Sequence, residues 1–294
     1  MTRENYRQVT GMIDENFILS ASQVEQYLQR LGLDYKQDKN RLIPSEENLK
    51  YLHTIHISKI PYENLSILLG EPISLNGKDL FMKIISNNRG GYCFEVNGLY
   101  TVLLKSLGYK VTVYNGRFIS ENKGVQMRRH RIMRVEIDGI SYITDVSFRN
   151  EYPRTALRFI CGKVQTDGIS EYKFTQDEYY GYIMWQKRTG KEWSKIFGFD
   201  ESPQSEIDFL LPNYYCETHP DSPFIDAPHM SICPIDQHIT IAEREFIISE
   251  KDKISVKRSI ETNEEFILLC KTYFGIEINE EKADVIMRKI PNKS

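Results

Sequence analysis

The sequence predicts an α+β fold in which a helical first third leads into an antiparallel β middle and a mixed α/β end. Three observations predict it. Apolar residues recur at helical spacing as far as Gly108. Beyond Gly108 the period falls to two, and Asp138-Gly139, a strong hairpin signal, separates two such runs. Alternation returns around residues 239–248, and a capped apolar helix follows. There is no internal repeat and no Pro/Gly/Ser-rich linker, so packed subdomains are expected at 1–108, 109–212 and 213–294.

Each element has a local reason. Ser22 and Glu25 form a capping-box pattern around Val24, Tyr27, Leu28 and Leu31, and Gly32 ends that helix. A second helix starts after Pro44 with Ser45 as N-cap and carries Leu49, Leu52, His53 and His56 on one face. A third starts near Gly91, carries Leu99, Val102, Leu103 and Leu107, and stops at Gly108. Residues 109–114, 131–137 and 140–146 read as strands by their β-branched content. Residues 175–200 are expected to be helical or irregular, with Trp185 and Trp193 packed there. The last helix runs from about Asn263 to Phe274, capped by Thr262 or Asn263 and stopped by Gly275.

The 294 residues are 40% hydrophobic and 27% charged with a net charge of −3, which gives no reason to expect a nucleic-acid partner. No apolar run is long enough to span a membrane, and residues 1–16 resemble neither a signal nor a transit peptide. Five scattered cysteines, an odd number, argue against a disulfide framework and for a reducing cytoplasm.

One cysteine is placed for chemistry. In Arg89-Gly90-Gly91-Tyr92-Cys93-Phe94-Glu95, Cys93 follows a glycine pair and opens an apolar helix. Unpaired N–H groups and the positive end of the helix dipole favour a thiolate there and could hold an oxyanion. The bland alternative is a buried, inert thiol. With Asp138-Gly139 as a two-residue loop, Ile137 pairs with Ile140, His130 falls opposite Ser147, and Asp145 falls opposite Ile132. His130 and Asp145 then share the polar face, while Met133, Val135, Tyr142 and Val146 take the core face. Such a pair can serve as base and orienter for a nucleophile, or can be a surface hydrogen bond. Two metal readings compete: His53 with His56, and Cys216-x2-His219 with His229-x3-Cys233, a spacing compatible with zinc. Helix packing and chance occurrence are the favoured explanations, and no metal is expected.

Arg89 to Asn97 resembles the RGGxCFExN signature of the arylamine N-acetyltransferases. Tyr27 to Gly32 resembles that family's opening helix, and Leu52 to His56 followed by Ile60 to Leu65 resembles its LHxxH…IPFENL segment. The resemblance implies a cysteine-peptidase-like core: a helical part bearing Cys93, a central antiparallel β-barrel bearing His130 and Asp145, and a C-terminal α/β lid. It implies a Cys93–His130–Asp145 triad with Phe94 N–H as an oxyanion donor. It also implies Tyr62 and Phe148 in the acceptor pocket and an Arg89–Glu63 ion pair beside the site. The implied reaction is ping-pong: acetyl-CoA acylates Cys93, CoA leaves, and an arylamine, hydrazine or arylhydroxylamine takes the acetyl group. No metal is implied. The chain departs from the pattern at Asp145-Val146-Ser147-Phe148-Arg149, where the family has Asp-x-Gly-Phe-Gly, and at Arg131. Those departures put side chains beside the base, with Ser147 and Arg149 joining Tyr62 and Phe148 in the expected acceptor pocket. The alternatives are a papain-like or transglutaminase-like amide-processing enzyme, and a non-catalytic protein keeping the fold.

Overall fold

A computed structural model describes residues 13–120, 124–147, 152–251 and 253–290. The first helix, α1 (Ala21–Leu31), buries Val24, Tyr27, Leu28 and Leu31 and ends on Gly32 in the left-handed region. Its cap lies two residues earlier than the sequence suggests. Ser20 Oγ accepts from Gln23 N (3.3 Å), and Gln23 Oε1 accepts from Ser20 N (3.0 Å). Ser20-x-x-Gln23 is an equally good capping box, with the buried Leu19 directly before it. Helix α2 (Glu46–Lys59) starts at Ser45 as expected, with Ser45 Oγ accepting from Asn48 N. After three short helical segments, α3 (Leu65–Leu68), α4 (Gly77–Phe81) and a π-helical turn (Met82–Ser86), comes α5 (Cys93–Ser106). Every residue of α5 from Cys93 to Leu104 is buried, so this helix is the axis of the molecule and not a surface helix.

Eight strands follow: β1 (Lys110–Phe118), β2 (His130–Ile137), β3 (Ile140–Thr144), β4 (Leu157–Arg158), β5 (Gln165–Thr166), β6 (Glu171–Asp177), β7 (Gly181–Lys187) and β8 (Ser194–Phe199). They form one antiparallel sheet in the order β4-β3-β2-β1-β8-β7-β6-β5. The sheet curls back on itself. Phe159, just past β4 at one edge, packs on Phe174 of β6 (5.3 Å between ring centroids), Tyr182 of β7 and Phe199 of β8. This is the barrel-like centre that the fold class calls for. Strands β6 to β8 replace the helical or irregular segment expected at 175–200. Asp177 Oδ1 accepts from Tyr179 N and Tyr180 N and turns the chain, and Gly181 takes a left-handed conformation that a side chain would strain. The tryptophans obscure the alternation because both stay half-buried, stacked around Lys173 on the outer face.

Helix α6 (Leu210–Thr218) spans the expected boundary at residue 212. Pro212 lies in its first turn, where a missing N–H costs nothing. A second antiparallel sheet, β12-β11-β10-β9, is built from β9 (His229–Ile232), β10 (Gln237–Ala242), β11 (Glu245–Glu250) and β12 (Lys253–Ser259). Helices α7 (Asn263–Phe274) and α8 (Glu280–Lys289) cover it and share its core, with α7 capped by Thr262 and stopped by Gly275.

Arg131 lies nowhere near the face of its neighbour His130. Successive strand residues point to opposite sides, so its guanidinium passes under α5 to a bidentate pair with Glu206 and sits 4.9 Å from the centre of the Phe209 ring. It is fully buried. Burial alone would raise the Glu206 carboxyl, but Arg131 holds it below the usual range. Removing the arginine alone leaves a largely buried carboxylate uncompensated. Arg131→Met should therefore cost about 3–5 kcal/mol in urea unfolding, and adding Glu206→Gln should recover most of it. A single variant as stable as the parent would show that the pair is not carrying that segment.

Candidate active site

Cys93 is the first residue of α5, and a cradle below the helix entry holds it there. The glycine pair is needed for close approach and not for positive φ. A Cβ on Gly90 would meet Pro61 O at 2.0 Å, and one on Gly91 would meet Glu95 Cβ at 2.7 Å. Glu95 caps the helix by accepting from Tyr92 N (3.1 Å) and takes Lys83 Nζ at 2.6 Å. The buried Glu63 accepts from Gly90 N, Leu65 N and Arg89 Nε, with Arg89 Nη2 also at 2.9 Å. Burial would raise the Glu63 carboxyl, but Arg89 and Lys83 hold it below the ordinary range. The expected Arg89–Glu63 pair is thus a ligated brace for the loop before Cys93.

His130 and Asp145 meet from the two arms of the hairpin. Pairing of Ile137 with Ile140 and Met133 with Thr144 is the register the turn implies. Strand β3 ends at Thr144, so Asp145 lies just past the ladder, yet its Oδ2 takes His130 Nε2 at 2.5 Å. The face is not polar. Cys93, His130 and Asp145 are 4%, 1% and 3% exposed, because α5 covers one side of the hairpin and a ring of aromatics covers the other. Phe118, Tyr152 and Phe197 surround the imidazole at centroid distances of 4.7, 5.3 and 5.8 Å.

A carboxylate only accepts, so the proton resides on Nε2. Nδ1 is then a bare acceptor, buried and without a hydrogen-bond partner among the described residues. Asp145 Oδ1 accepts from Asn97 Nδ2 (2.8 Å), Ser147 N (3.0 Å) and Ser147 Oγ (2.6 Å). Burial would push this carboxyl up, but His130, Ser147 and Asn97 hold it below its ordinary value. Cys93 Sγ stands 3.9 Å from the carbonyl oxygen of Arg129, the residue before His130. Burial pushes the Cys93 thiol well up, reinforced by Cys216 and Asp145 and opposed by Arg129. A thiolate there needs a cation made inside the site, which a proton on Nδ1 would supply.

Other expected residues fall in varied places. Phe94 is the second residue of α5, so its N–H belongs to the first turn. Tyr62 is buried in one apolar cluster with Cys93 and exchanges both backbone hydrogen bonds with Ser231 of β9 (2.8 and 2.9 Å), tying the loop before Cys93 to the second sheet. Ser147 is buried and donates its hydroxyl to Asp145. Phe148 and Arg149 lie outside the described residues. The metal spacings do not converge. No cluster of three or more His, Cys, Asp or Glu able to hold a metal occurs among the described residues. His229 Nε2 meets Pro223 O, Cys233 Sγ meets Gln237 O, and His56 Nε2 meets Tyr27 OH. Asn97 was missed, although its i+4 position from Cys93 puts it on the same helix face. Tyr152, whose hydroxyl lies 3.2 Å from His130 Nε2, has no local signal at all.

Burial pushes His53 down to about 4, with Asp145, the Pro153 carbonyl and Asp167 opposing. The native imidazole therefore stays neutral while the unfolded chain takes up a proton below pH 6.5. His53 should lower folding stability by about 3 kcal/mol as pH falls from 6.5 through 4. Urea unfolding at pH 7 and 4.5 should show a smaller loss for His53→Gln than for the parent, and equal losses would refute this.

A family model described as N-acetyltransferase matches residues 46–283. The arylamine N-acetyltransferase of Mycolicibacterium smegmatis is 29% identical over 228 residues, spanning 76% of this chain and 80% of that one. The arylamine N-acetyltransferase / N-hydroxyarylamine O-acetyltransferase of Salmonella typhimurium is 29% identical over 244 residues, 82% and 85% of the two chains. The solved Salmonella typhimurium arylamine N-acetyltransferase superposes with a TM-score of 0.85 at 25% identity over 92% of this chain and 99% of that one. A Mycobacterium marinum arylamine N-acetyltransferase solved in complex with CoA superposes at 0.83 with 24% identity, over 92% and 100%, a likeness of fold.

Proposed function

This chain belongs to the arylamine N-acetyltransferase family, and from that premise we propose that it carries acetyl from acetyl-CoA to small aromatic amines, hydrazines or arylhydroxylamines through a thioester on Cys93. It is an acyltransferase by family. The observation that carries the finer reading is the 2.5 Å bond from His130 Nε2 to Asp145, which leaves Nδ1 as the only basic atom the imidazole can offer. In this reading Cys93 Sγ gives its proton to Nδ1 and attacks the thioester carbonyl carbon. The oxyanion is held at the first turn of α5, with Phe94 N–H as a donor. Collapse breaks the bond to the CoA sulfur, which leaves with the proton from Nδ1. In the second half-reaction the amine nitrogen attacks the Cys93 thioester, Nδ1 takes a proton from that nitrogen, and Cys93 Sγ leaves.

The proposed donor is supported by the CoA complex of the Mycobacterium marinum relative, and the arylamine and arylhydroxylamine acceptors by the relatives' names, with hydrazines resting on the family resemblance alone. The proposed division of labour keeps the nucleophile on the helical part and the base with its orienter on the barrel. All five cysteines are free, which suits the proposed cytoplasmic location. Among the described residues no helix is long and apolar enough to cross a membrane. Intact mass after mixing with acetyl-CoA tests the core of the reading. One added acetyl group on Cys93, discharged by an arylamine, is expected. An unmodified protein, or acetyl retained in the presence of amines while peptide amides are cleaved, would favour the amide-processing alternative.

A further inference from the structure

The LHxxH segment places His53 on α2, one element removed from the reacting atoms, and its side chain is fully buried. Both ring nitrogens are used. Nδ1 lies 2.8 Å from Thr144 Oγ1, and Nε2 lies 3.1 Å from the carbonyl oxygen of Pro153. The carbonyl only accepts, so Nε2 carries the proton and Nδ1 accepts from the threonine hydroxyl. These two partners are not arbitrary. Thr144 is the last residue of β3 and directly precedes Asp145. Pro153 directly follows Tyr152, whose ring packs against His130 and whose hydroxyl reaches Nε2 of the same imidazole. The next residue of α2 repeats the attachment, with Thr54 Oγ1 donating to Arg154 O at 3.0 Å.

One side chain therefore links the residue before Asp145 to the residue after Tyr152, two of the groups that contact His130. Without it, the Asp145 segment would rest on the Met133–Thr144 ladder pair and on Asn97, which also accepts from Val146 N, while the donors from Asn97 and Ser147 reach Oδ1 only. The oxygen that faces His130 gets its position from the strand end that Thr144 closes. We propose that His53 is a positioning residue. Through Thr144 and Pro153 it sets Asp145 and Tyr152 against His130, so that the imidazole keeps Nε2 on the carboxylate and turns Nδ1 toward the nucleophile. This rests on the reading of His130 as the base for Cys93. A buried histidine that merely satisfies its hydrogen bonds would matter for folding alone.

The test separates the two roles in single-turnover acetylation of Cys93 by acetyl-CoA, read as a limiting rate and a half-saturating concentration, with thermal melting as the check on folding. His53→Phe keeps a ring but neither hydrogen bond, and His53→Gln keeps a donor for the Pro153 carbonyl. Thr144→Val leaves His53 in place and removes only the arm to Asp145. The limiting rate should fall at least tenfold in His53→Phe, recover at least threefold in His53→Gln, and fall at least threefold in Thr144→Val. Half-saturation should stay within twofold in all three. A folded His53→Phe with the parent's limiting rate, or a Gln variant no better than Phe, overturns the proposal. Where His53→Phe does not fold, Thr144→Val decides by the same threefold criterion. If the parent itself takes no acetyl group, the functional reading fails instead. The same variants are then compared by the rate of Cys93 alkylation with iodoacetamide, and the positioning role of His53 is overturned if Thr144→Val alkylates at the parent's rate.

Discussion

Cys93→Ala will abolish acetyl transfer, with a loss of roughly a thousandfold or more, because no other described thiol can take its place at the helix entry. Burial pushes Cys216 up to about 11 and Cys233 up to about 12, and Cys270 higher still. None of these three has an imidazole beside it that is backed by a carboxylate. Cys161 is exposed and is the useful control. Cys93 is itself buried, so in the proposed mechanism its reactivity comes from proton transfer to His130 and not from an easily ionised lone thiol. Iodoacetamide near pH 7 should label Cys93 faster than Cys161 in the parent, and His130→Ala should reverse that order. If the order is the same with and without His130, the ion-pair account is wrong.

Asp145→Asn should cost on the order of a hundredfold to ten-thousandfold in the acetylation rate while the protein stays folded. The geometry gives the reason. Oδ1 receives three donors, from Asn97 and Ser147, so an asparagine will keep its carbonyl oxygen there and turn its NH2 toward His130. Nε2 then becomes the acceptor, the ring proton moves to Nδ1, and the only nitrogen able to accept the Cys93 proton is filled. Circular dichroism and melting should stay close to the parent, since the variant retains the donors from Asn97 and Ser147. A variant with near-full activity and normal folding would show that the Nε2 contact does not control the base.

The elements that repeat at short range were readable. Ser45, Gly32, Gly108, Asp138-Gly139, Thr262 and Gly275 each carry a local stereochemical signal, and each marks an element end. The hairpin also carried the site, because a two-residue turn sets the register and the register brings His130 near Asp145. Residues 175–200 failed for an equally physical reason. Trp185, Trp193 and Lys173 cover one another on the outside of the sheet, so the expected polar alternation is replaced by a half-buried aromatic one.

What the sequence determined by itself is the setting of Cys93 at a helix entry, the hairpin pair and the family they resemble, all written in spacings of a few residues. Only the tertiary structure decided what those residues face. It buried His130 in a ring of Phe118, Tyr152 and Phe197 contributed by three separate segments, a meeting of which no local pattern keeps a trace. It sent Arg131 through the core to Glu206, where the sequence had placed it beside the base, and gave the Ser147 hydroxyl Asp145 as its partner. The physical reason is burial: a polar group removed from water must take whatever partner the fold brings within reach, and that partner is set by the packing of distant segments.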